Sequence, residues 1–319
     1  MIDMNSYLKK IDEVIDKGPY KDTWESLNDY EVPKWYKNNK FGIFIHWGIY
    51  SVPAFGSEWY SRNMYIQGDS CYEHHIKTYG LHKDFGYKDF IPMFKAEKFD
   101  ASAWAELFYK AGAKYVVPVA EHHDGFQMYA SELSEWNAAN MGPKRDVLKE
   151  LKTAFEKKGL STGASSHRIE HWFFMGHGKE FESDIKEPLK RGDFYWPAMP
   201  EPNHHDLYST PPTKEYMQDW LCRCCEIVDR YHPEIIYFDW WIQHSALKPY
   251  LKKFAAYYYN KSLEWNTEGV VINYKHDAFQ FGCAVPDIER GQFAEAKPYY
   301  WQTDTAIARN SWCYTENNK

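Results

Sequence analysis

Two acidic residues in the sequence, Asp239 and Glu289, could together hydrolyse a glycosidic bond. Asp239 follows the apolar run Ile235–Phe238 and precedes two tryptophans, which would place its carboxylate in a semi-apolar pocket. Glu289 follows a weaker strand pattern and precedes Arg290. Glycoside hydrolysis needs two such carboxyl groups, one to attack the anomeric carbon and one to protonate the leaving oxygen. Two structural roles stay open: Asp239 could simply cap the next helix, and Glu289 could form a surface ion pair with Arg290.

A histidine, a glutamate and two tryptophans near the start of the sequence have the chemistry of a sugar-binding site. His46 is followed by Trp47, and Glu58 is followed by Trp59. An imidazole or a carboxylate can bind sugar hydroxyl groups, while an indole ring beside it covers the apolar face of the sugar. The alternative interpretation is that both tryptophans and His46 belong to the hydrophobic core.

The histidines also leave a metal-dependent hydrolase open as a rival interpretation. Five residues could supply the three protein ligands that a catalytic metal needs: His46, His122, His123, Asp124 and His167. Adjacent residues of a strand point to opposite faces. His122 and His123 would therefore bind one metal together only where the strand has already ended, and we expect no metal at this site.

Short apolar runs that end in polar residues indicate the elements that would position these side chains. Such runs are typical of strands buried on both faces of a parallel sheet. We predict seven strands: Phe41–Ile45, Tyr115–Ala120, Leu160–Ser165, Ile235–Phe238, Val270–Asn273, Gly282–Pro286 and Tyr299–Gln302. Several runs deliver titratable residues at their carboxyl ends, as His46, His167 and Asp239 show.

The strands alternate with helical patterns from about residue 100 onward, which predicts a parallel sheet with right-handed crossovers. In a (β/α)₈ barrel the carboxyl ends of the strands form the active-site face. An open doubly wound sheet is disfavoured because neither common glycine-rich phosphate-binding motif occurs. We therefore predict an α/β fold with a (β/α)₈-like barrel, as a single catalytic domain over residues 1–319. It has an N-terminal helical lead-in over 1–35 and a long loop or insertion over 176–215.

Composition and charge exclude several classes of protein. The 319-residue chain is 18% aromatic and carries a net charge of −7, without the basic footprint of a nucleic-acid binder. No apolar stretch approaches the roughly 20 residues of a membrane-spanning helix. The N-terminus does not resemble a signal peptide, so we expect a cytoplasmic location. Six cysteines in a chain of this length do not indicate a disulfide framework, and Cys222, Cys224 and Cys225 are predicted to be buried thiols.

Taken together and in order, the motifs resemble those of the glycoside hydrolase family 29 α-L-fucosidases over about residues 30–319. The motifs are Phe41-Gly-Ile-Phe-Ile-His-Trp-Gly48, Gly56-Ser-Glu-Trp-Tyr60, His122-His-Asp-Gly-Phe126, Tyr237-Phe-Asp-Trp240, Asp287-Ile-Glu-Arg-Gly291, Trp301-Gln-Thr-Asp304 and Asn310-Ser-Trp312. The resemblance implies a (β/α)₈-like barrel. It also implies an exo-glycosidase that hydrolyses terminal α-L-fucosyl linkages with retention, through a fucosyl-aspartate intermediate and without a metal or organic cofactor.

The resemblance also assigns roles to individual residues. It places the nucleophile at Asp239 and the acid/base residue at Glu289. Fucose-binding roles fall on His46, Glu58, Trp59, His122, His123 and Trp312. Many relatives have a pocket tyrosine where this sequence reads Ala164-Ser-Ser-His-Arg168, and His167 is our candidate for that role. The implied partner is a fucosylated glycan or glycoside, with no nucleic acid and no membrane.

The sequence departs from the family after the Asn-Ser-Trp segment. The family continues with a helix, a final barrel strand and a C-terminal β-sandwich, whereas this sequence stops at Lys319. We therefore expect a barrel without its last strand and without the sandwich. The resulting open edge could be covered by a rearranged element, a second chain or a homo-oligomer partner.

Three alternatives to a fucosidase stay open. The first is a non-catalytic or weakly active fucose-binding remnant. The second is a metal-dependent hydrolase that uses His46, His122 and His123. The third is a glycosidase that acts on another sugar.

Overall fold

The structure, a computed structural model, describes residues 3–208, 210–265 and 268–316. The strands are β1 (Gly42–Ile45), β2 (Tyr115–Glu121), β3 (Ser161–Ser166), β4 (Ile235–Phe238), β5 (Val271–Lys275), β6 (Val285–Glu289) and β7 (Gln302–Asp304). The α-helices are α1 (Met4–Lys17), α2 (Trp24–Leu27), α3 (Lys34–Asn38), α4 (Tyr60–Asn63), α5 (Ser70–Tyr79), α6 (Ala101–Lys110), α7 (Val147–Glu156), α8 (His171–Phe174), α9 (Lys214–Tyr231) and α10 (Lys248–Ser262). Short 3₁₀ turns span Ile49–Ser51, Tyr87–Met93, Arg168–Glu170, Gly176–Lys179, Ser245–Leu247 and Leu263–Trp265.

All seven strands are parallel and pair in chain order, β1 to β7. They form a nearly closed barrel with one seam, between β7 and β1, which confirms the predicted (β/α)₈-like fold. The first five strands lie close to their predicted positions. The last two strands are shifted about three residues towards the C-terminus relative to the prediction. Their pairing involves Asp287–Glu289 and Gln302–Asp304, which are mostly polar and so lie outside the apolar pattern.

The barrel interior holds a compact apolar cluster to which four strands and α3 contribute. Its buried members are Tyr36, Val117, Ile235, Tyr237, Val271 and Val285. Strand β3 is built from small residues, and at Gly163 its neighbours leave no space for a side chain. A Cβ atom at Gly163 would lie only 2.9 Å from the carbonyl oxygen of Ile235.

The helices cover the outside of the barrel through apolar stripes. Helix α7, for example, is capped by Asp146 and buries Leu148, Leu151 and Phe155 at helical spacing. Helix α9 buries most of its residues, including Cys222, Cys224 and Cys225, and all six cysteines have free, buried thiols. Among the described residues, no helix is both long and apolar enough to cross a membrane.

Tyr36 of α3 lies inside the barrel, close to the seam. Its hydroxyl donates to Gln302 Oε1 at 2.6 Å and accepts from Asn273 Nδ2 at 3.1 Å. Gln302 Nε2 in turn donates to Asp287 Oδ2 at 2.6 Å. One buried side chain from the N-terminal part therefore links β5 and β7 beside the open edge.

Candidate active site

One cavity of about 120 Å³ opens at the carboxyl ends of the strands. All nine residues selected from the sequence line it: His46, Glu58, Trp59, His122, His123, His167, Asp239, Glu289 and Trp312. Sequence reasoning did not select three further lining residues, Phe44, Trp240 and Asp304. Trp47 lies elsewhere and packs against Phe94, Phe99 and Trp104, as the core interpretation predicts. Trp59 also packs against a core cluster, but it lines the cavity as well.

The carboxylate of Asp239, directly after β4, is held in place by His167. His167 Nδ1 donates to Asp239 Oδ2 at 2.9 Å, and Ser165 Oγ contacts His167 Nε2 at 3.0 Å. Burial opposes ionisation of Asp239, but the hydrogen bond and charge of His167, assisted by Lys275, outweigh it and hold the pKa of Asp239 well below its usual range. The helix-cap interpretation of Asp239 is wrong, because His244 caps the following helical turn. An ionised and oriented carboxylate can act as a nucleophile.

Glu289, the last residue of β6, lies beside a buried lysine. Lys275 Nζ is 3.4 Å from Glu289 Oε2 and also contacts Asp287 Oδ1 at 2.7 Å and Asp304 Oδ1 at 2.8 Å. Burial raises the pKa of Glu289, and the negative charge of Asp239 raises it further. The positive charge of Lys275 lowers it, but the net shift is upward. A carboxyl group with a raised pKa can deliver a proton to a leaving group.

Arg290 turns away from Glu289, so the ion-pair interpretation of these two residues is wrong. Its Nη1 donates to the carbonyl oxygen of Arg309 at 3.2 Å, and its guanidinium lies 4.8 Å from the ring centre of Trp312. Lys275 is instead the cation beside Glu289, and it stands two residues after the predicted strand Val270–Asn273. Its place at a strand end was the signal that could have identified it.

His122 and His123 both face the cavity because β2 ends at Glu121. His123 Nδ1 donates to the carbonyl oxygen of His167 at 2.8 Å, which leaves Nε2 as the acceptor of the neutral ring, 3.8 Å from Asp239 Oδ2. Burial, assisted by His167, lowers the pKa of His123 to about 3. Burial also lowers the pKa values of His46 and His122. Neutral imidazoles can accept and donate hydrogen bonds to sugar hydroxyl groups.

Glu58 links the N-terminal part of the cavity wall to Ser311 and Trp312, near the end of the described residues. Its Oε2 accepts from the backbone N–H of Trp312 at 2.9 Å and from Ser311 Oγ at 3.2 Å. The Trp312 ring lies 5.5 Å from that of His46. On another wall, Trp59 and Trp240 stack with ring centres 6.4 Å apart. The cavity therefore combines polar groups with aromatic walls, as a sugar site requires.

Among the residues that the structure describes, two groups of side chains, both in this cavity, could hold a metal ion. The ligand atoms of His46, His122 and His167 lie within 4.8 Å of one another, as do those of His123, His167 and Asp239. Asp124 does not join them, because its carboxyl group accepts from the Tyr87 hydroxyl at 2.7 Å. His171, four residues after His167, is bound to the carbonyl oxygens of His123 and Phe194.

A parallel barrel whose strand ends carry two carboxyl groups among imidazoles and indoles is typical of a glycoside hydrolase. The chain belongs to the alpha-L-fucosidase family, whose model matches residues 7–319. This confirms the resemblance drawn from the motifs.

The relatives are themselves fucosidases. The chain is 33% identical to the plasma alpha-L-fucosidase of Homo sapiens over 303 residues, which cover 92% of this chain and 57% of that protein. It is 41% identical to the human tissue alpha-L-fucosidase over 232 residues, which cover 72% of this chain and 47% of that protein. A Thermotoga maritima alpha-fucosidase in complex with fucose superposes with a TM-score of 0.73 at 34% identity, covering 94% of this chain and 64% of that one. The chain thus spans about half the length of these curated relatives.

Proposed function

We propose that this protein is a retaining exo-α-L-fucosidase that removes terminal α-L-fucosyl residues from glycans or glycosides. The observation that carries the proposal is the pairing of two carboxyl groups with opposite pKa shifts in one cavity. Asp239 is held ionised by His167, and Glu289 has a raised pKa. The fucose complex of the Thermotoga maritima relative supports fucose as the sugar.

In the first step Asp239 attacks the anomeric carbon while Glu289 gives its proton to the leaving oxygen. The hydrogen bond from His167 occupies Asp239 Oδ2 and leaves Oδ1 for the attack. The product of this step is a fucosyl–Asp239 ester and a released alcohol.

In the second step Glu289 acts as a base and activates a water molecule that cleaves the ester. The charges of the site support this change of role. Once Asp239 is esterified, it no longer raises the pKa of Glu289, whereas Lys275 still lowers it. Glu289 therefore ionises more readily in the intermediate than in the free enzyme.

The remaining cavity residues bind the sugar in this proposal. The free acceptor Nε2 of His123 and the second oxygen of Glu58 accept hydrogen bonds from hydroxyl groups. His46 and His122 contribute neutral imidazoles, and Trp59 and Trp312 cover apolar parts of the ring. His167, our candidate for the role of the pocket tyrosine, orients the nucleophile through its hydrogen bond to Asp239.

The direct test is proton NMR of the sugar released from an aryl α-L-fucoside by the purified chain. Asp239→Asn should abolish release, and α-L-fucose should appear before its β-anomer. Glu289→Ala should lose far less activity on an aryl leaving group than on a sugar leaving group, because the former needs less protonation. Early β-L-fucose would overturn the retaining assignment.

The comparisons do not favour the alternatives, and the same samples separate them. Fucose binding without release would identify a fucose-binding remnant. Loss of activity with a chelator and recovery with Zn²⁺ would identify a metal-dependent hydrolase. Faster release from an aryl β-D-galactoside would identify another sugar.

A further inference from the structure

Glu201, in the long segment 176–215, gathers one arginine and two histidines around its carboxylate. Arg62 donates to both oxygens, from Nη2 to Oε1 at 2.6 Å and from Nε to Oε2 at 3.0 Å. His177 Nε2 contacts Oε2 at 2.8 Å, and His204 Nε2 contacts Oε1 at 2.6 Å. The two-point pairing of a guanidinium with a carboxylate fixes both groups in angle as well as in distance.

Glu201 stays ionised in this cluster. Burial would raise its pKa, but hydrogen bonds from His177 and Arg62 lower it to about 2. The same hydrogen bond raises the pKa of His177. The side chains of Arg62 and Glu201 are only 16% and 17% exposed, so water screens their attraction weakly.

Two of the groups bound to Glu201 contact tryptophans that line the cavity. The Arg62 guanidinium is 5.5 Å from the ring centre of Trp59. The His204 ring is 5.7 Å from that of Trp240. Trp59 and Trp240 line the cavity and stack at 6.4 Å, whereas Glu201 does not line it.

We infer that Glu201 is a positioning residue, which sets the separation of Trp59 and Trp240 and thereby the affinity for the fucoside. This inference rests on the proposed function. The two indoles would contact the sugar in both the ground state and the transition state. Loosening them removes binding that both states share, which raises KM and leaves kcat almost unchanged.

The test compares Glu201→Gln with Glu187→Gln in the full chain. Glu187 is a matched control, because it lies in the same segment and pairs with Lys179 but is 57% exposed. For an aryl α-L-fucoside, Glu201→Gln should raise KM roughly tenfold with kcat within about twofold of the wild type. Glu187→Gln should change neither constant. Arg62→Gln should resemble Glu201→Gln, and the double variant should lose less than the two single losses combined.

A second readout does not depend on activity and therefore separates failure of this inference from failure of the proposed function. The chain is labelled with 5-fluorotryptophan, and the ¹⁹F signals of the two indoles are assigned with Trp59→Phe and Trp240→Phe. Both signals should move in Glu201→Gln and stay in place in Glu187→Gln. Unmoved signals, or a fall in kcat with an unchanged KM, would overturn the inference.

Discussion

Lys275 is the residue on which the charge balance of the cavity depends. Its ammonium group contacts Asp287, Asp304 and Glu289, and it is almost fully buried. A buried cation shared by three carboxyl groups cannot be removed without changing their proton affinities. Lys275 therefore lowers the pKa of Glu289, against the larger upward effect of burial.

Replacing Lys275 by glutamine should move the alkaline limb of the pH profile to higher pH. In the proposed mechanism the first step needs protonated Glu289, so kcat/KM should fall as pH rises through the pKa of this residue. Lys275 lowers that pKa, and its removal raises the pKa and delays the fall. The measurement is kcat/KM on an aryl α-L-fucoside across the pH range. Lys275→Arg keeps the charge and should leave the alkaline limb near its wild-type pH. An alkaline limb at the same or a lower pH in Lys275→Gln would contradict the effect of Lys275 on the pKa of Glu289.

The sequence motifs predicted nine cavity residues but could not separate neighbours within one motif. Glu121 and Asp124 flank His122 and His123 in the sequence, and neither lines the cavity. Glu121 is bound by Arg168 and Arg223, and Asp124 by Tyr87. Each of these partners lies far away in the sequence, so no local pattern could reveal the pairing.

At the scale of elements, a buried ion network joins two strand ends to α9. Arg168 Nη1 contacts Glu121 Oε1 at 2.8 Å, and Arg223 Nε contacts Asp219 Oδ2 at 2.7 Å. Arg168 also reaches Asp219, at 3.3 Å. These four side chains are almost fully buried. Loss of one of them therefore leaves a buried charge without a partner and without water to solvate it. The network thus fixes α9 against the strand ends that carry the cavity.

Asp219→Asn should lower the free energy of unfolding by about 3–5 kcal/mol at pH 7. Burial raises the pKa of Asp219, but Arg223, Arg168 and Arg191 lower it to about 2, below its value in the unfolded chain. Its stabilisation is therefore present above pH 4 and is lost as pH falls towards 2. Denaturant unfolding should show a wild-type advantage that is large at pH 7 and smaller at pH 3.

Asp12→Asn is the matched control for that measurement. Asp12 pairs with Lys253 on the surface and is 53% exposed, so its removal should cost no more than about 1 kcal/mol. Two outcomes would contradict the role of the network. One is an equal loss of unfolding free energy in Asp219→Asn and Asp12→Asn, and the other is a difference between wild type and Asp219→Asn that grows as pH falls.

The elements could largely be predicted from the sequence, and the reason is visible in β4 and β5. Both strands are short and fully buried; β4 is apolar throughout, and β5 begins with the apolar pair Val271 and Ile272, a pattern typical of parallel strands buried on both faces. β7 is half exposed and polar, so periodicity did not show that it ends at Asp304, within the cavity. The geometry of polar strands is decided by pairing with a neighbour, which a local pattern does not contain.

At the scale of the whole molecule, the sequence predicted an open edge but not what lies beside it. The seam separates β7 from β1, and Tyr36 bonds to Gln302 and Asn273 within the barrel. Tyr36 precedes β1, and its partners lie more than 230 residues away. Only the closed barrel brings such positions together.

The residues that line the cavity are spread along the sequence from Phe44 to Trp312. Only the folded barrel brings them together, so only the folded protein can bind a sugar there. L-Fucose should therefore raise the melting temperature, by an amount that grows with concentration. The stabilisation is about 2.7 kcal/mol at a ligand concentration 100 times Kd. Thermal unfolding with D-fucose is the control, since this mirror-image sugar has the same composition. Equal shifts with both sugars would show that the cavity does not recognise fucose.

The contact between Glu58 and the backbone of Trp312 has a consequence for protein synthesis. The chain emerges from the ribosome with its N-terminus first, so His46 and Glu58 are exposed long before residue 312 is synthesised. Until then the cavity lacks one aromatic wall, and the buried carboxylate of Glu58 lacks the N–H and hydroxyl donors that it has in the folded protein. A nascent chain halted at residue 310 would thus contain all seven strands but lack the Trp312 wall of the cavity and both donors to Glu58.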